Sequence, residues 1–376
     1  METRSRPHVV IVAASLEILG GQGVQAHGLI DALTGDGYPV RFVPVNPRFP
    51  RALQWLRRLP YLRTIVNQML YVPSLARLAS ANVVHVFSAS YMSFLLAPVP
   101  AMLIARALHK RVVLHYHSGE ADDHLAHWGM LVHPWLRLAD VIVVPSEYLA
   151  GVFQAHGHET RVIRNVVDLS RFEYRERQPL CPRLLSTRNL EPYYRVDVIL
   201  EAFALVKAQR PDATLTVAGY GSEEGRLRRL AVEGVRFVGK VDPQSMPQLC
   251  DEADIFLNAS VVDNQPVSIL EAFAAGLPVV STPTGDIPAM IRHNHTGLIV
   301  RPGDAASLAS AVLHLITHPR EASAMAQQAR QDVTRYTWLA VRDEWAAVYE
   351  GPRDPALFDH PVRPRETEPW TSHSTH

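Results

Sequence analysis

Short apolar, β-branched runs alternate with amphipathic stretches along most of the chain. His8–Ala14, Val40–Val45, Val83–Phe87, Val112–His115 and Val141–Val144 are apolar almost throughout, which predicts strands covered on both faces. Between them Gln22–Leu33, Tyr91–Leu108 and Glu147–His156 show helical spacing, the last with Ser146 as N-cap. This rhythm predicts a doubly wound α/β domain. It then repeats, with strands expected at Leu184–Thr187, Thr214–Ala218, Val235–Val238, Ile255–Asn258, Val279–Thr282 and Gly297–Val300. The expected helices there are Val196–Gln209, Glu223–Glu233, Val267–Ala275, Ala305–His314 and Glu321–Tyr336. Asn165–Pro182 is polar and irregular and reads as a linker. The predicted organisation is therefore a first domain over 1–165, a linker over 166–182 and a second domain over 183–350, whose last helix could pack back on the first. A tail over 351–376, rich in Pro, charge, Ser, Thr and His, is expected to be disordered. Two such domains enclose a cleft, with ligands at the carboxyl ends of the strands.

Composition narrows the function classes. At 376 residues and 47% hydrophobic, the chain suits two packed domains. Two cysteines, Cys181 and Cys250, exclude a disulfide scaffold or a thiolate zinc site and point to a reducing compartment. The balance of 37 basic and 37 acidic residues hides an asymmetry: residues 1–165 hold 15 and 10, a net +5, so the remainder holds 22 and 27, a net −5. From Gly37 to Gly119 there is no acid but ten bases: Arg41, Arg48, Arg51, Arg57, Arg58, Arg63, Arg77, Arg106, Lys110 and Arg111. Such a region meets phosphate, an anionic membrane or nucleic acid, unless acids elsewhere in the fold neutralise it; both readings stay open. The His8–Ala14 run is too short for an export signal, and Asn82–Ala105, with His85, Pro98 and Pro100, suits a strand and helix better than a membrane span. A cytoplasmic location is expected.

Two segments carry chemistry. Gly20, Gly21 and Gly23 follow the first strand, where they make either a tight turn or a cradle for phosphate at a helix N-terminus. Their spacing is not G-x-G-x-x-G, so a nicotinamide dinucleotide is disfavoured. The second segment runs from Asn258 to Ser281 and sets Asp263 on a loop and Glu271 within the following helix, with Gly276 and Pro278 before the next strand. Carboxylates accept paired hydrogen bonds from vicinal diols of a ribose or hexose. The backbone N–H groups of Val267 and Ser268 begin the helix and suit diphosphate oxygens. The plainer alternative is two solvated acids bracketing a core helix.

This segment resembles the donor site of glycosyltransferase family 4, retaining enzymes of the GT-B fold that use nucleotide-activated sugars. Asp263 and Glu271 match its two acidic positions, separated by seven residues, and the likeness extends over roughly Val9 to Tyr349. The resemblance implies two facing Rossmann-like domains and several further roles. Gly20 and Gly21 match the diphosphate loop, His117 a histidine lining the sugar pocket, and Arg188 a diphosphate-binding arginine, whose fork suits phosphate. Asn165-Val-Val-Asp168 is similar to the signature entering the second domain, and Gly219-Tyr-Gly221 and Val238-Gly239-Lys240-Val241 to the next two loops, with Val241 a nucleobase contact. Implied as catalytic are His117, Asp263 and Arg188, and as donor-binding Gly20, Gly21, Arg188, Arg195, Val241, Val267, Ser268 and Glu271.

Departures from the family pattern sharpen the expectations. Tyr194 stands where a lysine is usual, so Arg195 is expected to take over the second phosphate contact, unless Arg188 and backbone donors suffice. Asp263 replaces the usual glutamate, so the sugar sits closer or a water intervenes. His115 is expected to point away from His117, if both lie at a strand end, and to serve either packing or support of the residues that line the site. His117, Glu120, Asp122, Asp123 and His124 suggest a metal cluster, but the resemblance implies no metal and no cofactor, the nucleotide sugar being a substrate. Arg48–Arg63 interleaves arginines with Trp55, Leu56, Leu59, Tyr61 and Leu62. Arg51, Trp55, Arg57 and Arg58 read either as an interfacial segment on anionic lipid or as an acceptor-side loop with Trp55 and Leu59 in the core.

The expected activity is transfer of a hexose-type sugar from a nucleoside diphosphate sugar, a uridine or guanosine derivative, to a hydroxyl acceptor. The family implies a lipid-linked or polysaccharide-precursor acceptor and peripheral placement at the inner face of the membrane; no nucleic-acid partner is expected. A GT-B-like scaffold with a decayed site and a nucleotide-sugar epimerase remain as rivals.

Overall fold

The computed structural model describes residues 6–15, 21–88 and 90–351. Gly20 and the tail over 352–376 lie outside them.

The first sheet has six parallel strands in the order β2-β1-β3-β4-β5-β6: β1 Val9–Ala13, β2 Val40–Pro44, β3 Val83–Ser88, β4 Arg111–Tyr116, β5 Val141–Val144 and β6 Arg161–Val162. All of β1 and β3 is buried, as their unbroken apolar sequence requires once helices cover both faces. The second sheet, also parallel, has the order β12-β11-β10-β7-β8-β9. Its strands are β7 Arg183–Ser186, β8 Thr214–Ala218, β9 Val235–Gly239, β10 Ile255–Leu257, β11 Val279–Ser281 and β12 Leu298–Ile299.

This order places the site. In the first sheet the chain runs outward one way from β1 and the other way from β3; in the second it reverses between β7 and β10. Loops leaving neighbouring strands at such a reversal diverge and open a crevice. Arg188 lies just past β7 and Asp263 in the loop past β10, so the sheet order alone brings together residues 75 apart in the chain. His117 comes from the end of β4, next to β3.

The expected Tyr91–Leu108 helix is two helices, Tyr91–Leu96 and Pro98–Ala107. Pro98 lacks an N–H and so opens a new helix at its first position instead of continuing the old one. The expected Glu321–Tyr336 helix begins at Pro319 and tightens to a 3₁₀ turn over Val333–Tyr336. Ser146 does cap its helix, accepting from the Leu149 N–H. A further helix, Trp338–Glu350, follows the second domain in sequence yet buries Val341, Trp345, Val348 and Tyr349 in one cluster with Val9, Ile11 and Val113 of the first sheet.

The 166–182 segment is fastened to the second domain. Val167 and Phe172 join the core of Phe256 and Phe273. Arg177, buried, donates to the backbone carbonyls of Ala253, Arg175, Ala275 and Cys250, which compensate its desolvation. Among the described residues no helix is long and apolar enough to cross a membrane.

Candidate functional site

Two adjoining cavities lie in the cleft and share Gly21, Arg188 and Val267. The first, about 140 Å³, is walled mainly by the second domain, with Arg188, Lys240, Val241, Ser268, Glu271, Gly219 and Tyr220, and closed from the first domain by Gly21 and Val24. The second, about 280 Å³, lies between the domains and takes His117, Ser118, Gly119 and Glu120 from the first, with Tyr193, Tyr194 and Asp263–Val267 from the second.

Arg188 is the common wall, and its position is over-determined. One terminal nitrogen donates to Ser268 Oγ at 3.1 Å and the other to Asp263 Oδ2 at 2.5 Å. The guanidinium carbon stands 4.2 Å from the centroid of the Tyr194 ring. Its Nε has no hydrogen-bond partner among the described residues. The tyrosine at the family's lysine position therefore braces the arginine by a cation–π contact. Gly219, at φ +151°, lets the following loop pass against the Arg188 carbonyl, where a Cβ would collide.

Arg195 does not line either cavity. It caps the Val196–Gln209 helix with φ +48°, and its Nε donates to Asp197 at 3.1 Å, so the expected second phosphate contact is not placed at the site. Lys240, from the loop after β9, lines the first cavity instead. The sequence held that signal in the Val238–Val241 loop, one residue from Val241, which lines the same wall.

Val267 and Ser268 open the Val267–Ala274 helix, whose first turn faces both cavities. Glu271, one turn further, lines the first cavity but not the second. Burial pushes its carboxyl up to about 7, against a smaller pull from Arg171. Gly21 stands at the start of the Gly21–Gly35 helix on both cavities; Gly20 is outside the described residues.

His117 lines the second cavity and stacks on Phe87, 5.2 Å between centroids and 18° between planes. Burial lowers its pKa to about 3, so the ring is neutral. His115 does not point away from it: the two rings are 4.0 Å apart. Residues two apart along a strand share a face, which is why the expectation fails.

The domains touch at this site. An added Cβ on Gly119 would sit 2.7 Å from the backbone of Asp263. Ser146 Oγ donates to Asn264 Oδ1, and Asn165 donates twice to Gln265, from its backbone N–H to Oε1 at 2.8 Å and from its side-chain amide to the backbone carbonyl at 2.9 Å. Gln265 donates in turn to Asp286 at 2.9 Å.

The five residues of the suggested metal cluster disperse: Asp123 accepts from Tyr91, Asp122 meets His156, and His124 shares a bond with Tyr116. Among the described residues no three His, Cys, Asp or Glu side chains group as metal ligands.

A separate cavity of about 510 Å³ lies on the first domain, lined by Phe49, Arg57, Arg63, Asn67, Ser93 and Leu96 among others. Beside it Arg51–Arg58 forms a 3₁₀ helix with no buried residue, followed by the Pro60–Ser74 helix. Trp55 is 61% exposed, Tyr61 86% and Met69 70%, with Leu59, Leu62 and Ile65 also exposed. The reading that put Trp55 and Leu59 in the core is thereby corrected.

Comparison with known proteins fits this arrangement. The model described as Glycosyltransferase Family 4 matches residues 19–171, and that described as Glycosyl transferases group 1 matches 181–318. The chain is 30% identical over 246 residues to a glycogen synthase of Mycobacterium tuberculosis, covering 62% of this chain and 59% of that protein. It is 36% identical over 149 residues to the amylovoran biosynthesis glycosyltransferase AmsK of Erwinia amylovora, 37% of this chain and 36% of that protein. To the phosphatidyl-myo-inositol mannosyltransferase of Mycobacterium leprae it is 27% identical over 265 residues, 68% of this chain and 71% of that protein. It thus spans little more than half the glycogen synthase and about a third of AmsK. Among solved structures, Anabaena Alr3699/HepE in complex with UDP and glucose superposes with a TM-score of 0.70 at 16% identity, covering 92% of this chain and all of that one. Sucrose-phosphate synthase of Thermosynechococcus elongatus gives 0.72 at 18%, covering 94% and 99%. At such identities the likeness is one of fold, the GT-B arrangement of two facing domains.

Proposed function

The chain belongs to glycosyltransferase family 4, and from that premise we propose that it is a retaining enzyme moving a hexose-type sugar from a nucleoside diphosphate sugar to a hydroxyl acceptor. The observation that carries this reading is the Arg188 guanidinium, held by Ser268, Asp263 and Tyr194 on the shared wall of two cavities. The first cavity takes the nucleoside diphosphate and the second the sugar.

In this reading Glu271 accepts the ribose hydroxyls and Val241 lies against the base. Arg188, Lys240 and the N–H groups opening the Val267–Ala274 helix meet the diphosphate. As the glycosidic bond breaks, negative charge grows on the departing phosphate, and groups already fixed there stabilise it without reorganising. No metal or cofactor is needed for that charge. Asp263 and neutral His117 hold sugar hydroxyls, and the domain contacts at Gly119 and Asn264 exclude water from the reacting carbon. A uridine donor is favoured, since HepE, of the same fold, is solved with UDP and glucose.

The acceptor approaches from the first domain. Arg51, Trp55, Arg57 and Arg58, with the exposed apolar face of the Pro60–Ser74 helix, suit an anionic membrane surface, and the Arg57–Arg63 cavity suits the head of a lipid-linked acceptor. The enzyme would act from the cytoplasmic side. The two departures at Tyr194 and Asp263 both hold Arg188, one through its ring and the other through an ion pair, which favours a working site over a decayed one.

The experiment is proton NMR of the sugar released or transferred when the protein is incubated with UDP-hexoses and a lipid extract. A product whose anomeric configuration matches the donor supports the reading. Conversion of donor alone into an isomeric nucleotide sugar points to the epimerase. An inverted product refutes retention.

A further inference from the structure

Behind His117 runs a line of side chains that the donor site leaves unexplained. His115, whose ring is 4.0 Å from that of His117, shares a hydrogen bond of 3.2 Å between its Nδ1 and Nε2 of His85. His85 Nδ1 shares one of 2.6 Å with the hydroxyl of Tyr349, near the end of the Trp338–Glu350 helix. All three are buried, and Phe87 and Trp345 pack around the imidazoles at about 5 Å between centroids. Nε2 of His115 and Nε2 of His117 are buried with no hydrogen-bond partner among the described residues.

A neutral imidazole carries one N–H, so the line admits two arrangements. In one, the Tyr349 hydroxyl donates to His85, which donates to His115, leaving the His115 proton on Nε2. In the other every proton is reversed, and the Tyr349 hydroxyl must find another acceptor in a buried place. The first satisfies the phenol but leaves the buried His115 Nε2–H without a partner among the described residues, and the second strands the phenol O–H instead, so each arrangement leaves one buried donor unpaired. Either way, fixing the phenol at one end fixes the tautomer at the other.

We propose that Tyr349, His85 and His115 are positioning residues for His117: the line from the last helix sets the tautomer of His115, and that ring, with Phe87, sets the orientation of His117 in the second cavity. This rests on reading the second cavity as the sugar side. The helix that follows the second domain thus acts on the first-domain wall of the cleft, so the line ties the site to the chain's return crossing.

The test uses the full chain and Tyr349→Phe, which removes only the hydroxyl while its ring keeps the packing on Trp345. Val348→Ala, in the same helix but outside the line, controls for loosened packing. Long-range proton–nitrogen NMR of the histidine rings should show distinct protonated and bare nitrogens for His115 in the wild type, converging toward averaged shifts in Tyr349→Phe. The kcat for transfer, or for donor hydrolysis in the absence of acceptor, should fall about fivefold with the donor KM within twofold. Val348→Ala should lower Tm and move neither. Unchanged His115 nitrogens in Tyr349→Phe, or equal effects in Val348→Ala, overturn the proposal. The tautomer reading needs no donor, so a wild type that binds no nucleotide sugar counts against the proposed function while the line is still decided.

Discussion

Arg188 and Asp263, 75 residues apart in the chain, form an ion pair of 2.5 Å in which each side chain is about nine-tenths buried. The pair sits where the two cavities meet, so the carboxylate holds the guanidinium that a diphosphate would engage. A phosphate oxygen must share that guanidinium with Asp263, whereas a sugar hydroxyl gains from the same carboxylate as an acceptor. On the proposed function, the pair should therefore favour a sugar-bearing diphosphate over a bare one.

Asp263→Asn separates those two effects. Affinity for the free nucleoside diphosphate should rise about threefold to tenfold, because Arg188 loses its competing anion, while kcat for transfer falls at least tenfold. Calorimetry on the diphosphate and initial rates with the sugar donor measure the two sides. A parallel fall in both would show that Asp263 only keeps Arg188 in place.

On the proposed function, Glu271 should give donor binding a pH dependence. Its carboxyl is raised to about 7 by burial, and only the ionised form could accept from both hydroxyls of a ribose. The ionised fraction grows from about a tenth at pH 6 to about nine-tenths at pH 8, so donor affinity should rise up to about tenfold over that interval. Glu271→Gln should bind weakly with a flat profile. The linkage to stability has the opposite sense: the folded state holds this proton more tightly than the unfolded chain, so the stability contribution is lost as pH rises toward 7, and Glu271→Gln should flatten Tm over the same range.

Gly119→Ala should hold the domains apart. The new methyl would lie 2.7 Å from the Asp263 backbone, and backbone cannot give way as a flexible side chain can. Donor affinity, resting mainly on second-domain residues, should change less than threefold, whereas kcat should fall tenfold or more and the radius of gyration in solution scattering should rise. An unchanged kcat would show that this contact is not needed for reaction.

Vesicle flotation tests the exposed face of the first domain. Binding is expected to vesicles containing phosphatidylglycerol, weak on neutral vesicles, and reduced by salt because screening shortens the reach of Arg51, Arg57 and Arg58. Tyr61→Asp with Met69→Asp, both at exposed positions, should lower binding at least tenfold without lowering Tm.

Much of this was legible in the sequence because its signals are local. Unbroken apolar runs gave the buried parallel strands, Ser146 its cap, and the spacing from Asp263 to Glu271 one loop and one helix turn. What was not legible depends on tertiary contact. Arg195 and Lys240 are both cations near a donor-side loop, and only the fold shows that Asp197 holds the first while the second lines the cavity. Tyr194 reads as a loss until the Arg188 guanidinium is seen over its ring. The expectation that a last helix could pack back on the first domain drew on nothing in Trp338–Glu350 itself: Val341, Trp345 and Val348, spaced by four and three, do not say which sheet they meet.

The most direct measurement is ligand-detected NMR binding of uridine, guanosine, adenosine and thymidine diphosphate sugars to the wild type, Arg188→Ala and Glu271→Ala. The account expects selective binding of one donor, a uridine diphosphate hexose first, weakened at least tenfold in both variants while their folds are retained. A folded wild type that binds none of the donors, or binding untouched by either substitution, would contradict it.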